Sequence, residues 1–242
     1  MISIRLDSKG DLLVRWPSKD LEILNLSQSY LDYEGNLPVD QQITTPTLSM
    51  VQETLEKARV AVDSASDGEA SRATAAEIHR QTMSEARPLM EVVLLHLKSK
   101  YADNLAQLSA WGLKTKRAKR GISVLKPTSD NKWVNFLQAY VIQESSLPEG
   151  ERLTDPPLDK LTALVEKVRQ SREARDSGKT QREMGVKERS TIVAQLLHLL
   201  QVAAIVLVAT RYGSKVTNDL QQWGYDVVAR GSGKKIEKEQ EE

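Results

Sequence analysis

The three histidines are the side chains in this sequence best suited to hold a metal ion or to exchange protons near neutral pH. They are His79, His96 and His198. No Glu-x-x-His or His-x-x-x-His pair sets two ligands on one helical face, and His79 stands two residues from Glu77, which points to another face. His96 and His198 each follow a Leu-Leu pair. We therefore expect packed, hydrogen-bonded histidines, no metal and no other cofactor.

The other signatures of catalysis depend on cysteine, serine or glycine patterns. The chain of 242 residues contains no cysteine, which excludes disulfides, thiolate nucleophiles and cysteine-bound zinc or iron–sulfur centres. No Gly-x-Ser-x-Gly turn presents a serine. Gly178-Lys179-Thr180 resembles the end of a phosphate-binding loop, but the upstream glycine is missing and no strand precedes it. We expect no catalytic residue and a protein that is not an enzyme.

One short segment carries a strong local charge, with five basic residues in seven positions. These candidate phosphate contacts are Lys114, Lys116, Arg117, Lys119 and Arg120. On an extended ribbon they could contact nucleic-acid phosphates, although no aromatic residue is interleaved as single-strand binding favours. The net charge of the chain is only +1, so no global field favours nucleic acid or an anionic membrane. A solvated connector between two parts of the chain is the other interpretation.

An uncharged apolar run extends over residues 190–210, between Arg189 and Arg211. About 21 residues at ~1.5 Å each would span a bilayer, but Gln195, His198 and Gln201 interrupt the run. We favour a buried helix with one face in contact with a partner, and membrane association through 190–210 is the less favoured alternative. The predicted contact residues are Leu199, Val202, Val206 and Ala209.

The sequence matches itself when it is shifted by 110 positions. Fifteen positions are identical without a gap between residues 14–59 and 124–169. Further along, a slip of two positions aligns Trp111-Gly112 with Trp223-Gly224. We infer a tandem duplication, with repeats over residues 1–120 and 121–230 that pack as one domain. The charged tail 231–242 is predicted to be disordered.

Each repeat predicts the same order of elements, beginning with a short helix and a proline-containing extended linker. A second helix, a hairpin turn at a glycine, a longer third helix and a short fourth helix ending at Trp-Gly follow. The predicted helices are 19–34, 47–65 and 70–100 in the first repeat and 130–144, 157–176 and 180–212 in the second, with turns at Gly68 and Gly178.

Short extended segments are predicted between the helices, and the first two of them flank Lys9-Gly10 as a hairpin. They are residues 2–6, 12–16, 113–117, 122–124 and 225–229. The predicted fold class is mainly α, with tandem helical hairpins that form a core like a four-helix bundle; two small independent bundles are the alternative.

The repeated motif resembles a group of uncharacterised bacterial helical-hairpin proteins, many of which add a fibronectin-like β domain. The residues that carry the resemblance are Leu37-Pro38, Thr45-Pro46-Thr47-Leu48, Ala61, Gly68, Arg72, Ala75, Leu108, Trp111-Gly112, Lys114 and Lys116. The family closes with Gly-Phe-Glu-x-Arg-Lys, whereas here Trp111 precedes the glycine and Tyr225 takes the place of the phenylalanine in the second copy. The resemblance implies a fold and no activity.

Together these features predict a non-enzymatic structural or protein-interaction protein that self-assembles or joins a larger complex. Its expected partner is itself or another protein. The alternatives are a nucleic-acid-binding accessory protein that uses residues 114–120 and a membrane-associated protein. Met1 to Lys9 shows no secretory signal pattern, so a cytoplasmic location is the default expectation.

Overall fold

The computed structural model describes residues 11–118 and 121–230, and it confirms the mainly α fold class. Four α-helices account for most of this part of the chain: α1 (Asp20–Gly35), α2 (Leu48–Lys100), α3 (Asp130–Ser145) and α4 (Leu158–Arg211). Four short strands accompany them: β1 (Leu12–Arg15), β2 (Lys114–Ala118), β3 (Gly121–Leu125) and β4 (Asp226–Ala229). Short 3₁₀ helices lie at Val39–Gln41, Leu105–Ser109, Glu149–Glu151 and Asn218–Trp223.

The short helices α1 and α3 have 16 residues each and end within one residue of the predicted ends. Apolar residues at helical spacing bury one face of each helix, for example Ile23 and Tyr30 in α1. A proline-containing linker follows each of these helices; it begins with a 3₁₀ helix directly after Pro38 or Pro148 and contains a cis peptide bond, Thr45-Pro46 or Asp155-Pro156.

The predicted hairpin turns at Gly68 and Gly178 are wrong, because both glycines lie inside continuous helices. α2 has 53 residues and α4 has 54, so each replaces two predicted helices. A glycine inside a helix costs only about 1 kcal/mol relative to alanine, which neighbouring helix formers and packing can offset. A Cβ on Gly178 would lie 3.2 Å from the Cα of Arg72. The glycine therefore permits a close approach of two helices and makes no turn.

The described chain divides into two compact units, unit 1 (Met1–Gly68 and Arg182–Glu242) and unit 2 (Glu69–Gln181). Both boundaries fall inside the long helices α2 and α4. Each unit therefore takes elements from both predicted repeats, 1–120 and 121–230. The units describe packing and the repeats describe sequence similarity, so the repeat division stays a prediction.

The core of unit 1 combines α1, the first part of α2, the last part of α4 and the strands β1 and β4. β1 pairs antiparallel with β4, with Val14 opposite Val227. The predicted partner of β1, residues 2–6, lies outside the described residues, as does the tail 231–242. The largest fully buried side chains of this core are Tyr30, Leu55, Leu196, Trp223 and Tyr225.

Unit 2 has its own core, built from α3, the last part of α2, the first part of α4 and the β2–β3 hairpin. β2 pairs antiparallel with β3, with Lys114 opposite Leu125 and Lys116 opposite Ser123. The three strands predicted at 113–117, 122–124 and 225–229 are thus confirmed within one or two residues. The largest fully buried side chains here are Met90, Leu97, Leu108, Phe136, Leu137, Tyr140 and Leu161.

Candidate interaction surfaces

The uncharged run of α4 lies in unit 1, where one side of the helix is committed to the core. That side has residues at helical spacing that are 4% exposed or less: Val193, Leu196, Leu200, Ala203, Ala204, Leu207 and Val208. They belong to the core cluster of unit 1. The expectation that this helix is buried therefore holds for one face only.

A neighbouring side of α4 carries apolar residues that the core does not cover. Of the predicted contact residues, Leu199 packs against the core, Val202 and Val206 are half-buried, and Ala209 is exposed. Ile205 is also half-buried, and it was missing from the prediction. Its spacing from Val202 would have revealed it, since residues three and four apart share one helix face. We name Val202, Ile205, Val206 and Ala209 the α4 stripe.

The α4 stripe borders a groove of about 430 Å³ within unit 1. Val206 and Thr210 form one wall, and the extended linker over residues 40–44 forms the other. Arg211 closes the end, because its guanidinium donates a hydrogen bond to the carbonyl of Gln41. The stripe and the groove make one continuous surface that a helix or an extended segment could occupy.

The corresponding helix positions of unit 2, 110 residues earlier, also expose apolar side chains. Val92 and Leu95 stand where unit 1 has Val202 and Ile205, and they are 46% and 66% exposed. His96 and Ser99 replace the other two stripe residues. Apolar residues outside the core thus recur at two aligned helix positions, half-buried in unit 1 and exposed in unit 2.

Within the described residues, α4 is the one helix long and apolar enough to cross a membrane by length and composition. Its most apolar 18-residue window has a mean hydropathy of 2.3, and 39% of that window is buried. The buried part holds the core of unit 1 together. Insertion of this helix into a bilayer would therefore require that core to come apart.

The three histidines have different environments. His79 is 4% exposed, and its Nδ1 lies 3.0 Å from Ser171 Oγ. Since Ser171 Oγ donates to the carbonyl of Val168, Nδ1 must carry the proton and donate to the serine. Burial, followed by the charge of Arg175, lowers the pKa of His79. The neutral ring is thus a structural cross-link between α2 and α4.

The other two histidines are less buried than the expectation of packed, hydrogen-bonded histidines requires. His96 is half-buried, and His198 is exposed because it lies on the side of α4 away from the core. Among residues 11–118 and 121–230, no group of three or more His, Asp or Glu side chains could hold a metal ion.

His79 also lines a groove of about 530 Å³ in unit 2, together with three arginines. Each arginine is already bound to a carboxylate at 2.6–2.9 Å. The pairs are Arg80 with Glu77, Arg87 with Asp130, and Arg175 with Asp176. An anion entering this groove would have to displace these carboxylates.

The predicted basic segment lies on the β2–β3 hairpin of unit 2. Lys114, Lys116 and Arg117 are exposed on β2, whereas Lys119 and Arg120 lie outside the described residues. Lys114 and Lys116 are two positions apart, so they share one face of the strand. The sequence interpretation missed two lysines that approach this face from α3 and the turn before it.

Those two lysines, Lys126 and Lys132, line a pocket of about 120 Å³ together with Lys114. Lys126 Nζ bonds Glu91 at 2.5 Å and lies 5.8 Å from the centre of the Trp133 ring. We name Lys114, Lys116, Lys126 and Lys132 the basic face; Arg117 lies on the opposite face of β2. The local charge pattern indicated Lys114 and Lys116, but no local signal joins Lys126 and Lys132 to them, because the hairpin pairing and the start of α3 bring them together.

Unit 1 has a groove at the corresponding place, with two carboxylates and one arginine among its lining residues. It encloses about 520 Å³ beside α1, and its lining includes Arg15, Trp16, Glu22 and Asp226. By the repeat alignment Trp16, Glu22 and Asp226 replace Lys126, Lys132 and Lys114. Asp226 pairs with Arg15 at 2.6 Å, and a hydrogen bond from Lys19 lowers the pKa of Glu22. We name Trp16, Glu22 and Asp226 the acidic groove.

Comparison with known proteins does not assign the chain to a family. No family model, curated protein or solved structure matches it. The resemblance to bacterial helical-hairpin proteins therefore stays an expectation from the sequence. What these surfaces do has to be argued from their own chemistry.

Proposed function

We propose that this protein is a non-enzymatic structural protein that self-associates through the α4 stripe. One observation supports the proposal: four apolar residues at positions i, i+3, i+4 and i+7 lie outside the core of unit 1. Moving a Val or Ile side chain from water to full burial contributes about 1.5–3 kcal/mol, and covering the still-exposed part of these half-buried side chains gains a fraction of that.

A second copy of the chain fits the stripe better than a charged partner does. Residues 190–210 contain no Lys, Arg, Asp or Glu, so two such helices meet without like-charge repulsion. A two-fold contact would bury the same stripe on both copies. We propose a symmetric α4–α4 contact as the basic association.

The proposal includes a duplicated helical module as the origin of the two units. Corresponding contacts in both support it. The Glu34 carboxylate accepts a hydrogen bond from the N–H of Ile43 at 2.5 Å, and the Glu144 carboxylate accepts one from the N–H of Leu153. In each unit a buried glutamate thus ties the linker to the preceding helix. A duplicated protein-interaction module offers two similar surfaces that can diverge.

The oligomeric state of the purified chain tests this proposal. Light scattering coupled to size-exclusion chromatography, without detergent, should give a mass of two copies or more. Val202→Lys with Val206→Lys should raise the dissociation constant of the dimer by about a hundredfold or more, since four lysines, two from each copy, would meet across the contact and like charges placed together cost several kcal/mol. Gln52→Lys, at an exposed position of α2 in the same unit, is the matched control. A monomer at high protein concentration would overturn the proposal.

A nucleic-acid-binding role is the second candidate, because four lysines gather on the basic face of unit 2, and three of them line one pocket. Such binding would be weak in affinity and strongly dependent on salt, since each phosphate contact releases a counterion. Retention on heparin or duplex DNA at low salt, lost in Lys114→Glu with Lys116→Glu, would support it. Equal retention of Lys57→Glu with Lys160→Glu, both exposed elsewhere, would show that the position of the charge matters.

A further inference from the structure

The charge of the chain is divided unequally between its two units. Unit 2, residues 69–181, holds 19 basic and 14 acidic residues, a net charge of +5. Unit 1, residues 1–68 and 182–242, holds 15 basic and 19 acidic residues, a net charge of −4. The net charge of +1 for the whole chain conceals this division. Contact between unlike units of two copies is therefore favoured by charge, whereas the α4 contact between two copies of unit 1 depends on the uncharged apolar residues of 190–210.

The two units also carry opposite charges at aligned positions of one surface. Where unit 2 has Lys114 and Lys132, unit 1 has Asp226 and Glu22. At the third aligned position unit 2 has Lys126 and unit 1 has Trp16. The Trp16 ring is half-buried and forms part of the acidic groove. The indole lies beside two carboxylates that are already paired, Asp226 with Arg15 and Glu22 with Lys19, so an incoming lysine or arginine would share these carboxylates and make a cation–π contact with the indole.

We propose that the basic face of one copy docks on the acidic groove of a second copy. The proposal rests on the proposed self-association and names its second contact. Lys114 and Lys116 are exposed on one face of β2, where they can reach the groove of a neighbour. The groove of about 520 Å³ has room for such side chains. Asp226 would share its carboxylate between Arg15 and the incoming cation, because it has lone pairs to spare.

This contact joins two different surfaces, so it is heterologous and does not close with two copies. Each added copy presents a new acidic groove and a new basic face. Together with the symmetric α4 contact it would convert a dimer into a growing assembly. The two contacts respond differently to salt: the Debye length falls from about 10 Å at 0.1 M to about 3 Å at 1 M, which weakens attraction between exposed charges but not an apolar contact.

Charge exchange between the two surfaces gives the test. One variant carries Lys114→Glu and Lys116→Glu, and the other carries Glu22→Lys and Asp226→Lys. Each alone should lose species larger than a dimer at 50 mM NaCl in light scattering. An equimolar mixture should regain them, because the acidic hairpin of the first variant fits the basic groove of the second. Lys57→Glu with Lys160→Glu changes net charge equally at exposed sites outside both surfaces and should assemble like the unmodified chain.

The outcomes separate this inference from the proposed function. Large species that persist in both charge variants, or that survive 1 M NaCl in the unmodified chain, would overturn the heterologous contact. In 1 M NaCl the charged contact is screened. If Val202→Lys with Val206→Lys still lowers the mass to that of a monomer under these conditions, the α4 contact is supported independently of the heterologous contact. A chain that is monomeric at every salt concentration would overturn both. Loss of DNA binding in Lys114→Glu with Lys116→Glu, with assembly unchanged, would assign the basic face to nucleic acid instead.

Discussion

Substitution of Gly112 by alanine should destabilise unit 2 strongly, even though the change adds one methyl group. Gly112 has a φ of +77°, in the left-handed region that residues with a Cβ disfavour. A Cβ built on it would lie 2.6 Å from the Cβ of Ala139 on α3. Gly224 has the same problem in unit 1, with a φ of +86° and a Cβ contact of 2.6 Å to Ser29.

The expected cost follows from two separate terms. The left-handed conformation costs about 1–2 kcal/mol for a residue with a Cβ. Overpacking by one carbon costs about 1–3 kcal/mol, because helix α3 must move or the loop must shift. Alanine restricts the unfolded chain and regains about 0.4–1 kcal/mol. Gly112→Ala should therefore lower the free energy of unfolding by about 2–4 kcal/mol.

A double-mutant cycle with Ala139→Gly separates the two terms. Ala139→Gly alone should cost about 0.5–1 kcal/mol, as for any glycine inside a helix. The double variant removes the clash and keeps the left-handed cost, so it should be about 1–3 kcal/mol more stable than the sum of the single effects predicts. Urea unfolding followed by circular dichroism measures the midpoint, with an unchanged slope as the check on the denatured state.

Gly150→Ala is the matched control, because nothing lies within 4 Å of a Cβ built there and its φ is not positive. It should change stability by less than about 0.5 kcal/mol, as surface substitutions usually do. The reasoning fails if Gly112→Ala is as mild as this control. It also fails if Ala139→Gly shows no coupling to Gly112→Ala.

Three further predictions concern buried groups. Tyr30→Phe should raise stability by about 1 kcal/mol in thermal unfolding, because the buried Tyr30 hydroxyl has no hydrogen-bond partner in the described part of the chain; a loss of stability would contradict this. Gly178→Ala should destabilise by about 1 kcal/mol despite the better helix former, since its Cβ meets the backbone of Arg72. Because the pKa of His79 is lowered in the folded chain, the unfolded chain binds a proton at His79 more readily. The free energy of unfolding should therefore fall as the pH drops below the ordinary pKa of 6.5, by at most about 1.4 kcal/mol per pH unit. His79→Gln should remove this dependence on pH.

The sequence predicted those elements whose signals are local. Apolar spacing located α1 and α3, and alternating short segments located β2, β3 and β4, because periodicity is a property of neighbouring residues. The prediction of a hairpin turn at Gly178 was wrong because the deciding signal is not local. A glycine that ends a helix and one that admits a second helix have the same local pattern, and only the contact with Arg72 distinguishes them.

The candidate surfaces show the same limit. Val202 and Val206 were found because they belong to one uncharged run, and Ile205 could have been found from the same spacing. The pairing of β1 with β4 joins residues 211 positions apart, as in the Arg15–Asp226 ion pair, so no local pattern indicates it. The acidic groove depends on that pairing. Its carboxylates are far apart in the sequence and become neighbours only in the fold.

The two units differ in how much of the chain must be synthesised before each can close. Unit 2 is one uninterrupted stretch, Glu69–Gln181, so its core can form while the ribosome is still adding later residues. Unit 1 has to wait, because Tyr30 and Leu55 pack with Leu196 and Trp223 from the other side of that stretch. During this interval the apolar face of α1 stays uncovered. Vectorial synthesis would therefore complete unit 2 first and leave unit 1 as the part that needs protection from aggregation.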